Sequence, residues 1–221
     1  MDCVEEDPRT IMTDRQDESR IARDPGPDPA RTALRQALLD ARRRSTEPGR
    51  RAANEALVER LDALLGDLSG EVVALYWPIR GEPSLDPLPE RWLRAGARLA
   101  LPVVDAPRAP MRFLDWTPEA PMERGVWGIP RPAVEVVLRP TVLVVPCVGF
   151  TADADRLGYG GGFYDRSLAV LDTDGGSPPR AVGVAWDDAL IDGFEPLPTD
   201  RPLDAVVTPS RSFRRRRAPS P

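Results

Sequence analysis

The chain of 221 residues predicts an α/β fold, a three-layer α/β/α single domain with a mostly parallel central sheet. Two observations carry that prediction: short valine-rich runs that do not alternate with polar residues, and helical stretches between them. A strand covered on both faces needs apolar side chains on both, which is the situation inside a parallel sheet flanked by helices. The length is enough for one domain with a substantial core.

In chain order, Leu34, Leu38 and Ala41 recur at helical spacing, and Ala53, Leu57, Leu61 and Leu64 mark a second helix. The first strand falls at residues 72–76, followed by a helix near 90–95 and a strand at 98–103. Residues 111–116, reading MRFLDW, do alternate and predict an edge strand or a hairpin. A strand at 142–145, a helix at 164–171 and strands at 181–185 and 205–207 complete the pattern. Residues 1–30 hold nine acids against four arginines and end in a proline-rich stretch, so they predict a disordered leader. Residues 31–210 form the folded domain, and residues 211–221, RSFRRRRAPSP, predict a basic, solvated, disordered tail.

Histidine and lysine are both absent. That excludes Ser-His-Asp and Cys-His catalysis, histidine-ligated metals, Schiff-base chemistry and the lysine-bearing P-loop. Proton transfer is left to carboxylates, tyrosines or water. Cys3 and Cys147 offer neither a disulfide framework nor a zinc set, which suits a reducing compartment. No apolar run approaches the ~20 residues that span a bilayer. A net charge of −5 of mixed sign gives no general surface for nucleic acid or anionic membranes. These features predict a soluble, cytoplasmic protein with no membrane or nucleic-acid partner; a monomer acting on a small molecule is the accompanying expectation, which composition does not itself supply.

The most informative segment is residues 156–166, RLGYGGGFYDR, where four glycines stand between an arginine and a Tyr-Asp-Arg end. Glycine tolerates positive φ and lets backbone N–H groups approach a ligand, so such a run reads as an anion cradle. It follows an apolar strand and precedes a helix, the place where parallel sheets collect ligands and where helix N-termini favour anions. Its spacing matches neither Walker A nor G-x-G-x-x-G. A mobile turn without a ligand is the plainer alternative, but the flanking arginines and the Tyr-Asp pair speak against it. Arg31, Arg35 and Arg42 fall within about 40° of one another at the helical period and form a basic stripe; alone, that stripe would be an ordinary solvated face.

The segment VVPCVGFTADADRLGYGGGFYDR resembles the signature of the 5-formyltetrahydrofolate cyclo-ligase family, and RTALR, YWPIRGE, WGIPRP and TDRPLDAVVTP follow the family's order. The resemblance spans about residues 31–209. It implies an α/β enzyme that closes 5-formyltetrahydrofolate to 5,10-methenyltetrahydrofolate with Mg²⁺ and ATP as co-substrate, releasing ADP and phosphate. In that scheme the formyl oxygen attacks the γ-phosphate, and N10 then attacks the activated carbon as phosphate leaves. The protein's share is positioning and charge stabilisation.

Carried over position by position, the resemblance makes Arg31, Arg35, Arg156, Leu157, Gly158, Tyr159, Gly160, Gly161, Gly162, Phe163 and Tyr164 the ATP-binding set. Arg156 and Tyr164 are the candidate catalytic groups. Trp77, Glu82, Tyr159 and Phe163 are the candidate folate contacts, with Trp127 a further wall for the pterin, and Asp165 and Asp200 are the candidate magnesium ligands. Arg31 stands where the family has lysine, which keeps the charge and changes a compact ammonium to a planar fork. Arg42 has no counterpart in the family's set and is left out of the site. Two other readings compete: a sugar-phosphate isomerase or acyl-CoA-transferase relative whose glycine loop holds phosphate, and a non-catalytic paralogue using Arg214–Arg217 on nucleic acid.

Overall fold

A computed structural model describes residues 28–44 and 47–216. The expected leader lies outside the described residues except for its last three. There the structure differs from expectation, because helix α1 (Pro29–Arg44) starts within it. Asp28 Oδ1 accepts the Ala30 N–H at 2.9 Å. Pro29 takes the first helical position, where its missing N–H costs nothing. Asp-Pro, read by composition as part of a flexible segment, is the helix cap.

The chain continues through α2 (Glu47–Leu65), β1 (Val72–Ala74), α3 (Leu88–Arg94), β2 (Arg98–Val103), β3 (Arg112–Asp115), β4 (Met122–Arg124) and β5 (Pro130–Pro132). After these come β6 (Val142–Pro146), β7 (Gly149–Phe150), β8 (Arg156–Leu157), α4 (Phe163–Leu171), β9 (Arg180–Val184), β10 (Ala205–Val207) and β11 (Ser212–Arg214). Seven strands form one sheet in the order β11-β10-β9-β6-β1-β2-β3. From β10 to β2 every pairing is parallel, and the edges β11 and β3 are antiparallel. The mostly parallel α/β sheet is thus present, and MRFLDW supplies one of its edges.

The non-alternating strands are buried as their composition requires. All five residues of β6 are buried. Val142 and Val144 point into one core, with Leu57, Leu61 and Trp92 from α2 and α3. Leu143 and Val145 point into the other, with Leu168 and Leu171 from α4. Each such aliphatic side chain contributes ~1.5–3 kcal/mol by leaving water. The Trp92 Nε1–H donates to Asp62 at 2.6 Å, which satisfies the indole's one polar group and ties α3 to α2.

Three differences from the sequence reading bear on function. Strand β1 stops at Ala74 rather than at residue 76, and the chain turns through Trp77 and Pro78 into a loop at the carboxyl end of the sheet. Two short hairpins, β4–β5 and β7–β8, are too brief to show a period in sequence; the second converts Arg156 and Leu157 from loop to strand. The basic tail is ordered at its start: Ser212–Arg214 pair with β10, and Arg215 meets Asp155 at 3.1 Å. Phe213 drives this, packing edge-to-face on the buried Phe150 with centroids 5.0 Å apart.

Candidate active site

The glycine loop, residues 158–162, lies between β8 and α4. Gly160 and Gly162 sit at φ +94° and +63°, the left-handed region that side chains resist. Two guanidinium groups hold the loop's carbonyls. Arg35 Nε donates to the Gly158 carbonyl at 2.7 Å, and Arg166 Nη2 donates to the Gly161 carbonyl at 2.5 Å. In a trans peptide the following N–H points opposite to the carbonyl, so the N–H groups of Tyr159 and Gly162 are turned away from these arginines. Among the described residues no acceptor is paired with either N–H. Bared amides with cations close behind are what an anion cradle requires.

Beneath the loop is an ion pair. Arg156, only 7 % exposed, gives Nη2 to Asp165 Oδ2 at 2.9 Å and stacks 5.4 Å from the Tyr164 ring centroid. A side chain at Gly158 would collide with the Arg156 guanidinium, its Cβ coming within 2.3 Å of Nη1. Arg156 therefore supports the loop from below rather than lying along its open side.

Asp165 Oδ1 also accepts the Arg201 N–H at 3.1 Å, which brings it beside Asp200, the residue before Arg201. Asp200 Oδ2 in turn takes Arg31 Nη2 at 2.7 Å and the Leu197 N–H at 2.8 Å. Asp165, expected to hold magnesium with Asp200, thus lies beside the backbone at Asp200, and each of the two carboxylates already shares a guanidinium. Among the described residues there is no group of three or more His, Cys, Asp or Glu able to hold a metal. This donor set fits a hard cation that arrives with phosphate oxygens and water, and takes one or two carboxylates from the protein.

Arg31 is turned towards residues 194–200: it sits 4.6 Å over the Phe194 ring and reaches the Glu195 carbonyl at 3.4 Å. Burial lowers the Arg35 pKa from its usual value, and the nearby Arg31 charge lowers it further. Two guanidinium groups held this close favour an anion between them.

The other end of the site is built on the loop after β1. Glu82 is 7 % exposed; its Oε2 accepts the Ile79 N–H at 3.0 Å, while Oε1, also buried, has no partner at bonding geometry. Burial pushes the Glu82 carboxyl up, against the opposing pull of the Ile79 amide, the Tyr159 hydroxyl and the charges of Arg42 and Arg80. Burial, then the Glu82 charge, likewise raises Tyr159. The Trp186 indole holds this loop by donating to the Gly81 carbonyl at 2.8 Å. Trp77, 38 % exposed, lines a cleft of about 370 Å³ with Tyr76, Leu101 and Trp116. Trp127, 68 % exposed, meets the Phe163 ring edge-to-face at 5.6 Å, so the connection between β4 and β5 touches the start of α4, next to the glycine loop.

The sequence reading left out Arg42, although the stripe it shares with Arg31 and Arg35 was visible. Arg42 is 3 % exposed, donating to the Cys147 carbonyl at 2.7 Å and to the Tyr159 hydroxyl at 3.3 Å. Arg80 was also missed; its guanidinium lies 5.4 Å from the Tyr159 ring centroid. Burial pushes the Cys147 thiol up to about 12, so it is no thiolate nucleophile at neutral pH.

A model of the 5-formyltetrahydrofolate cyclo-ligase family matches residues 27–209. The chain is 34 % identical over 193 residues to a 5-formyltetrahydrofolate cyclo-ligase of Mycolicibacterium smegmatis, covering 83 % of this chain and 96 % of the relative. It is 37 % identical over 145 residues to one of Escherichia coli, covering 63 % of this chain and 78 % of that one. Its fold matches the NMR structure of Aquifex aeolicus 5,10-methenyltetrahydrofolate synthetase with a TM-score of 0.73 at 29 % identity, over 86 % of this chain and 95 % of that chain. Matched over most of its length by the family model and by these relatives, the chain belongs to the 5-formyltetrahydrofolate cyclo-ligase family.

Proposed function

We propose that the protein cyclises 5-formyltetrahydrofolate to 5,10-methenyltetrahydrofolate with ATP, releasing ADP and phosphate. One observation carries the reading. The glycine loop joins both halves of the reaction: its Gly158 carbonyl is held by Arg35 on the anion side, and its Tyr159 hydroxyl accepts a hydrogen bond from Arg42 on the substrate side.

In this reading the loop's bared N–H groups and the Arg31–Arg35 pair bind the ATP phosphates and offset negative charge that builds as the γ-phosphoryl group moves to the formyl oxygen. Mg²⁺, held by Asp165 and Asp200 together with phosphate oxygens, would neutralise part of that charge. The free Oε1 of Glu82 accepts N–H donors of the pterin, as a carboxylate suits paired N–H groups. Trp77 and Phe163 give the folate rings apolar contact, and the Trp127 hairpin narrows access of water to the reacting atoms. Tyr164, on the first turn of α4 and stacked on Arg156, aligns the loop.

The decisive experiment follows the near-ultraviolet absorbance of the methenyl product from 5-formyltetrahydrofolate with ATP and Mg²⁺, each omitted in turn. Product that needs both supports the proposal; no gain with folded protein overturns it. Thermal stabilisation by a sugar phosphate and not by ATP would favour an isomerase-like chemistry.

A further inference from the structure

The chain runs from β1 to α3 without a helix or strand, so the direction of the Glu82 side chain depends on how the backbone around it is anchored. The Gly81 carbonyl and the Glu82 N–H belong to one planar peptide unit. The carbonyl accepts the Trp186 indole N–H at 2.8 Å, and the N–H donates to the Ile79 carbonyl at 3.0 Å, so the unit is held at both ends. One residue beyond Glu82, the Pro83 carbonyl accepts the buried Tyr76 hydroxyl at 2.7 Å. The carboxylate itself is tied through Oε2 to the Ile79 N–H at 3.0 Å, which leaves Oε1 without a partner.

Trp186 differs from the other anchors in its origin. Ile79 and Tyr76 belong to the same loop and move with it, whereas Trp186 is 105 residues from Gly81 and is mounted on the central sheet. The residue before it, the fully buried Ala185, donates its N–H to the Val207 carbonyl at 3.1 Å. The residue after it, Asp187, accepts the Thr208 and Ser210 hydroxyls at 2.5 and 2.6 Å. Both neighbours of Trp186 are thus fixed to β10 and the turn that follows it. Gly81 sits at φ +73°, and a Cβ there would come within 2.9 Å of Arg50 Nη1, so the loop lies against α2 with no room for a side chain at the held carbonyl.

We propose that Trp186 is a positioning residue for the folate end of the site. Its indole N–H ties the Gly81–Glu82 peptide to the end of β9 and so sets where Glu82 Oε1 stands to meet the substrate's N–H donors, without itself touching substrate. This rests on reading Glu82 as the substrate's acceptor.

The test is Trp186→Phe in the full chain, which keeps an aromatic ring and removes the donor. The KM for 5-formyltetrahydrofolate should rise about fivefold, the worth of one neutral hydrogen bond, while the KM for ATP stays unchanged. Calorimetric titration with 5-formyltetrahydrofolate in the absence of ATP should show the same loss and reads binding apart from turnover. A double-mutant cycle then asks whether the loss passes through the carboxylate. With Glu82→Ala already in place, Trp186→Phe should cost no further affinity, because no acceptor is left to position. Additive losses, an unchanged folate affinity, or equal rises in both KM values overturn the proposal. If Trp186→Phe does not fold, Gly81→Ala displaces the same carbonyl and should raise the folate KM alone; an unchanged folate KM there overturns the proposal as well. A parent chain that neither binds nor cyclises 5-formyltetrahydrofolate would instead overturn the assigned reaction, so the two failures are distinguishable.

Discussion

The glycine loop at residues 158–162 and the loop at residues 77–82 both turn sharply at the site, and they are built in opposite ways. The first removes side chains: Gly160 and Gly162 take left-handed backbone, and the open surface is amide N–H with guanidinium groups behind it. The second keeps a side chain at one left-handed position, Arg80 (φ +48°), before the glycine at Gly81 (φ +73°), and buries a carboxylate. One binds through what the backbone exposes, the other through what the surroundings make of one acid. An anion cradle can thus be specified locally, whereas a poised carboxylate depends on distant neighbours.

Breaking the support of the first loop should have the largest effect. Asp165→Ala leaves Arg156 buried without its partner, and the loss of a buried pair's partner costs ~3–5 kcal/mol. Activity should be abolished as well, and denaturant unfolding would separate the two effects. Unchanged stability would mean that the ion pair does not carry the loop.

Gly160→Ala should spare the fold and strike turnover. Its Cβ would stand 3.3 Å from the Arg35 guanidinium at φ +94°. Displacing the phosphate cradle by a fraction of an ångström should lower kcat/KM for ATP by about 100-fold. Folate affinity, measured by fluorescence titration without ATP, should change little; equal loss of both would erase the division between the loops.

Glu82→Gln should do the reverse, raising the folate KM by about tenfold and leaving ATP binding intact. Stability sharpens the contrast. Because burial raises the Glu82 pKa in the folded state, its stabilising effect is complete below the ordinary carboxylate range and is lost as pH rises through the raised value. At neutral pH the glutamine variant should therefore melt no lower than the parent, and the difference should vanish in acid. A lower melting temperature at neutral pH would show that the charged form is favoured by folding.

The smallest effect belongs to Arg80→Gly. Relief of a left-handed non-glycine residue should add ~1 kcal/mol of stability. A loss of stability in urea unfolding would mean that the stacking on Tyr159 outweighs the strain.

Legibility in the sequence followed the same division. The five parallel strands were readable because burial on both faces leaves no polar alternation, and the glycine loop because only glycine is dense in such a run. The cap at Asp28, the β11 edge and the two short hairpins were not, since each depends on a few contacts too brief to leave a period. Among site residues, Arg35 holds the Gly158 carbonyl and Glu82 is buried in the loop after β1, whereas Arg156 is hidden under the loop and Asp165 and Asp200 carry arginine partners.

By itself the sequence determined the sheet, the order of its elements and the glycine loop, because hydrophobic period and glycine content act over neighbouring residues. Only the tertiary structure decided which arginine faces the cleft and which is buried. Arg31, Arg35 and Arg42 share one helix face and one charge, but their roles come from Asp200, Gly158 and Tyr159, groups more than a hundred residues away that folding brings to 2.7, 2.7 and 3.3 Å.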